Sequence, residues 1–110
     1  MGIDVHAVLV RKQERDCARL DEFLFRRRAR AMRLLAEWAR GKAADPRAID
    51  PLAVAASVAT ATDAELIERV ARLSGTLDRR RVERNFKRAE AEAWDQLVAE
   101  LGDPTPHSLA

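Results

Sequence analysis

An all-α fold, a compact bundle of about four helices in one domain over 1–102 with a tail at 103–110, is what this sequence predicts. Three observations predict it. Ala, Leu, Arg and Glu dominate, all strong helix formers, while β-branched residues are sparse outside two short stretches. Apolar residues recur at three- and four-residue spacing along two long segments. The 4 glycines and 4 prolines are few for a loop-rich chain. A length of 110 residues suits one domain with a modest core that needs neither disulfide nor metal.

Residues 4–10 (DVHAVLV) admit either a strand or a helix opening at Asp4 as N-cap. A lone strand has no partner in this chain, so the helix is preferred. Residues 11–16 (RKQERD) are polar on every side and read as exposed or as a break. Residues 17–41 form a strong amphipathic helix. Cys17, Leu20, Phe23, Leu24, Ala31, Leu34, Leu35 and Trp38 share one face. Arg19, Arg26, Arg30, Arg33 and Arg40 lie opposite, with Glu22 and Glu37 at pairing distance. Gly41 is a natural stop.

Asp45-Pro46 and Asp50-Pro51 each pair an Asp N-cap with Pro at the first helical position. The short helix expected over 51–60 is apolar nearly all round and is expected to be buried. Thr62 and Glu65 form a capping box. It opens a helix over 63–74 with Leu66, Ile67, Val70 and Leu73 on its apolar side, closed by Gly75. The last helix, about 77–101, carries the stripe Val82, Phe86, Ala89, Ala93, Leu97 and Leu101 and ends at Gly102 and Pro104. Leu24, Leu35, Trp38, Val70, Phe86 and Leu97 are the side chains expected in the core.

Charge is segregated. Residues 11–47 hold 12 basic and 6 acidic groups, and residues 69–88 hold 8 and 2, so each zone is +6. The stretches 48–68 and 89–110 are acidic, at −4 and −5. Two basic zones serve a polyanion if they merge into one patch, and serve the fold if the acidic zones neutralise them.

Val70-Ala71-Arg72-Leu73-Ser74-Gly75, followed by Val82, Arg84 and Phe86, places a small residue in a first helix, Gly in a turn and apolar anchors in a second helix. Over about 62–88 this resembles the helix-turn-helix of DNA-binding proteins. It departs from that pattern at the polar Thr76 and in a Gly75-to-Val82 spacing about one residue longer. The resemblance implies a second helix turned toward DNA. With Val82 and Phe86 inward, Arg80, Arg84, Lys87 and Arg88 share the outer face, where cations meet phosphates. An ordinary helical hairpin with a solvated basic face accounts for the same residues.

Arg27 falls within the apolar face of the first long helix. It calls for an acid such as Glu90 or Glu92, a protein interface, or a stem that snorkels to water. In the last helix Trp94 and Val98 turn away from the Ala93–Leu97 line, leaving an arc too broad for one neighbour. Either Val5–Val10 folds over them or a second copy does. Val5, Leu9, Trp94, Val98 and Arg27 are therefore the candidate interface of a homodimer or of a contact with another protein.

Enzyme chemistry finds no support in the residues. One cysteine and two distant histidines, His6 and His107, give no metal spacing. There is no Gly-rich phosphate loop, and Ser57, Ser74 and Ser108 belong to no recognisable nucleophile–base pattern. Neither a cofactor nor a catalytic residue is expected. Cys17 sits on the apolar face and reads as core. A lone cysteine and the lack of a basic start followed by an apolar run point to the cytoplasm. The longest apolar run, 51–61, is short of the ~20 residues of a membrane span. The basic segment FLFRRRARAMRLL needs its apolar side for the core, which disfavours a membrane surface. The expected function is that of a non-enzymatic binding or regulatory protein acting through protein–protein contacts and self-association. The alternative is a DNA-binding protein using 62–88.

Overall fold

The computed structural model describes residues 5–105, with side chains from Ala7 onward. Among these residues the chain is helical throughout its regular structure, without strands. The helices are α1 (Val5–Arg40), α2 (Pro51–Ala56), α3 (Asp63–Ser74) and α4 (Arg79–Leu101). Short 3-10 turns at Pro46–Ala48 and Ser57–Ala59 flank α2. None of the described helices is long and apolar enough to cross a membrane. The proposed N-cap Asp4, both histidine side chains and the tail beyond Thr105 lie outside the described residues.

The capping chemistry is local and appears where the residues place it. Asp45 accepts from Arg47 N, and Asp50 from Leu52 N and Ala53 N. Thr62 and Glu65 close both arms of their capping box. α4 begins at Arg79, later than residue 77, because Asp78 is its N-cap and accepts from Arg81 N at 2.8 Å. Leu77 before the cap and Val82 in the next turn are both buried, the arrangement of a hydrophobic staple. Gly75 ends α3 with φ +69°, a left-handed conformation that strains any side chain.

The core joins four helices. Ala31, Met32, Leu35, Ala36 and Ala39 of α1 meet Val54, Leu66, Ile67, Val70, Val82, Phe86, Ala89 and Ala93. α1 and α4 run antiparallel: Trp38 meets Arg81 at one end, and Phe23 meets Trp94 toward the other. Arg28 ties α1 to the start of α3. It donates to Asp63 Oδ1 (3.0 Å) and to the carbonyls of Val58 and Ala61.

Several expectations are corrected. The polar stretch 11–16 is no break, since α1 is one helix of 36 residues. Arg, Lys, Gln and Glu are good helix formers, so polarity on every side exposes a helix without ending it. Leu24 is exposed, as is its neighbour Phe25, because Phe23 takes the side toward α4 and no second helix covers the opposite side there. Cys17 is exposed for the same reason, lying nearer the free end of α1. The 51–60 segment is not buried all round: Val54 and Val58 face the core while Leu52 is 70% exposed. Its remaining surface is mostly alanine, which costs little to leave in water. Leu101 and Trp38 also differ from expectation, Leu101 being exposed and Trp38 half-buried. Leu35, Val70, Phe86 and Leu97 are buried as expected.

A candidate basic interface

The helical phase of α4 decides where its cations point. Val82, Phe86, Ala89, Ala93 and Leu97 are buried, so Arg80, Arg84, Lys87 and Arg88 stand exposed on the outer side. Whether these charges are spare depends on the ion pairs. Those in the middle of α1 are matched. Arg30 makes a two-pronged bond to Glu100, with both N–O distances 2.8 Å. Arg28 pairs with Asp63 at 2.9 Å, Arg26 with Glu22 at 2.8 Å and Arg33 with Glu37 at 3.6 Å. Ion pairs therefore engage the middle of α1, while Arg11, Lys12, Arg15, Arg40 and Lys42 of the same basic zone have no acidic partner among the described residues.

The second basic zone is different. Arg79 pairs with Glu83 at 3.5 Å, and Asp78 is occupied as a cap. Arg80, Arg84, Lys87 and Arg88 have no acidic partner among the described residues. They do not merge with the arginines of mid-α1. They adjoin its C-terminal end, where Trp38 and Lys42 line a groove with Arg81, Arg84, Asn85 and Arg88. Arg81, Lys42 and Trp38 were not among the candidates from sequence. Arg81, Arg84 and Arg88 follow an i, i+3, i+7 spacing that places them side by side, a signal available in the sequence. Nothing local connects them to Lys42, which lies in a loop beyond α1.

The predicted interface residues are placed otherwise. Trp94 is covered by its own chain: Phe23 meets it edge-on at 4.9 Å, and the Arg27 guanidinium lies 5.5 Å from its ring centre. Neither Val5–Val10 nor a second copy is required over it. Arg27 finds the partner anticipated for it, donating to the Glu90 carbonyl at 3.2 Å with the carboxylate at 4.0 Å. Val98 is half-buried and Leu9 is 54% exposed. The Val5 side chain lies outside the described residues.

The Arg30–Glu100 pair carries a pH signature. The hydrogen bond from Arg30 holds the Glu100 carboxyl below its ordinary value, against desolvation, with further help from the charges of Arg30 and Arg33. A carboxylate lowered in the folded state stabilises above its unfolded pKa, about 4.3 for glutamate, and loses that effect as pH falls through the lowered value. Urea unfolding of the wild type and Glu100→Gln should therefore differ near neutral pH and converge in acid. A gap unchanged down to pH of about 3 would show that Glu100 keeps the same pKa in both states.

These observations define the class as an all-α helical bundle whose mid-α1 arginines are ion-paired and whose outward cations on α4 are not. No family model, curated protein or solved structure matches the chain.

Proposed function

We propose that the protein binds nucleic acid, contacting the phosphates of a duplex with the outer face of the first half of α4. One observation carries this reading: Arg80, Arg84, Lys87 and Arg88 are unpaired and exposed on one helix face, while the arginines of mid-α1, Arg26, Arg27, Arg28, Arg30 and Arg33, are engaged in ion pairs. From Arg80 to Arg88 the helix rises about 12 Å. Such a row tracks a phosphate backbone and carries no base preference by itself. Neutralising four phosphates gives a salt slope of about −3.6, so affinity should fall about 150-fold between 50 and 200 mM salt. Fluorescence anisotropy with a labelled 20-base-pair duplex measures this directly. No binding at about 50 mM salt, where the ionic term is strongest, would overturn the reading.

Self-association is the second reading, favoured by the free end of α1. Its 36 residues span about 54 Å and the 23 of α4 about 35 Å. Arg19 already lies beside Leu101 and Pro104, at the end of α4. Residues 8–15 are all exposed, with Val8, Leu9 and Val10 adjacent in sequence. A second copy burying these residues forms a symmetric contact. Light scattering of the wild type should give a dimer at about 100 μM, and Leu9→Glu a monomer. A strictly monomeric wild type at that concentration removes the dimer.

A further inference from the structure

The groove between the end of α1 and the start of α4 has a volume of about 390 Å³. Its lining is Trp38, Lys42, Arg81, Arg84, Asn85 and Arg88: four cations, an amide and an indole, with no carboxylate. None of the four cations has an acidic partner among the described residues. The walls are fixed. Thr76 Oγ1 donates to the Lys42 carbonyl at 2.7 Å, and Ala44 N donates to the Ser74 carbonyl at 3.0 Å, clamping the loop after α1 onto the α3–α4 turn. The turn itself is held by the buried Ser74, whose hydroxyl donates to the Ala71 carbonyl and accepts from Thr76 N and Leu77 N. The Arg81 guanidinium lies 5.8 Å from the centre of the Trp38 ring, which limits the positions that the long side chain samples.

Converging cations on a rigid frame hold like charges together, an arrangement an anion relieves. Arginine's planar fork suits the oxygens of a phosphate, and lysine adds a point charge. We propose that this groove is a phosphate-binding site in which Lys42, Arg81 and Arg88 hold the anion and Trp38 acts as a positioning residue for Arg81. Its source is either a backbone phosphodiester, which rests on the nucleic-acid reading above, or the phosphate of a small compound, which does not.

The two tryptophans make the test direct. Trp38 lines the groove, and Trp94 packs against Phe23 far along α4. In Trp94→Phe the emission reports Trp38 alone. That variant is titrated with an unlabelled 20-base-pair duplex and, separately, with inorganic pyrophosphate. Binding of the labelled duplex is followed in parallel by anisotropy. A saturable change in Trp38 emission with the duplex, abolished in Lys42→Gln/Arg81→Gln of unchanged helicity, supports the site with a nucleic-acid source. The same double variant should lower the salt slope by about 0.9, for the one phosphate no longer neutralised in the groove. A response to pyrophosphate alone supports the site with a small-molecule source. Trp38→Phe should keep the salt slope of the wild type and Trp38→Leu lower it by up to about 0.9 at equal helicity, as a stacking role for one phosphate contact requires. Duplex binding with neither Trp38 response nor change in slope overturns the groove and leaves the α4 reading standing. Absent duplex binding with a pyrophosphate response does the reverse. Should Trp94→Phe fail to fold, the difference between wild type and Lys42→Gln/Arg81→Gln emission gives the same answers.

Discussion

Reversing Arg80 and Arg84 to glutamate is expected to abolish duplex binding while leaving the helical circular-dichroism signal intact. Both side chains are exposed and unpaired, so the change costs the fold little. The loss in binding is large. Each neutralised phosphate contributes through counterion release, and neutralising two fewer reduces affinity about 200-fold at 50 mM salt on that effect alone. The new carboxylates add repulsion against the phosphates. Non-specific binding starts at Kd values of about 10⁻⁴–10⁻⁶ M, so such a loss takes it out of range. Charge reversal at Arg28 would be a poor comparison, because Arg28 holds Asp63 and two carbonyls and its loss disturbs the fold. Retained binding in Arg80→Glu/Arg84→Glu would place the interface away from α4.

Phe86→Ala is expected to cost about 3–5 kcal/mol, toward the lower figure. Phe86 is 6% exposed and sits in the core cluster with Ile67, Val70 and Val82. One edge lies under a surface groove formed with Ile67 and the stems of Arg80, Glu83, Lys87 and Glu90, so the space left behind partly relaxes or fills with water. A domain of ordinary stability has about 5–15 kcal/mol to lose. The melting temperature should therefore drop by at least about 10 °C. Leu24→Ala is the contrasting variant. Leu24 is 38% exposed, and its truncation should stay within about 1 kcal/mol. Comparable losses in the two variants would mean that the burial assigned to these helices is wrong.

The two variants separate what is local from what is not. The phase of α4 was legible because Val82, Phe86, Ala89, Ala93 and Leu97 repeat at helical spacing and leave the arginines outside. The same reasoning placed Leu24 and Cys17 inside, where the structure has them exposed. Periodicity says which residues share a face. It does not say which side of a helix has a neighbour, which exposes Leu24, or how far along a face that neighbour reaches, which exposes Cys17, since α4 ends beside Arg19 while α1 continues to Val5.

By itself the sequence determined the helix-only architecture, the caps at Asp45, Asp50 and Thr62, and the stop at Gly75. Each depends on groups within a few residues, so the interactions are already written at short range. It also marked Arg27 as a cation in an apolar face, with an acid such as Glu90 or Glu92, a protein interface or a snorkelling stem left open, and the structure selects Glu90. Local i, i+4 pairs such as Arg26–Glu22 and Arg33–Glu37 are short-range, but tertiary structure decided which other cations are spent. Arg28 meets Asp63 and Arg30 meets Glu100 across 35 and 70 residues of chain, while equally basic residues of α4 meet no acid. It likewise brought Trp38 and Lys42 beside Arg81 by clamping the loop after α1 to the α3–α4 turn. Coulomb attraction acts through space, so the candidate site exists only once helix packing has chosen each charge's neighbours.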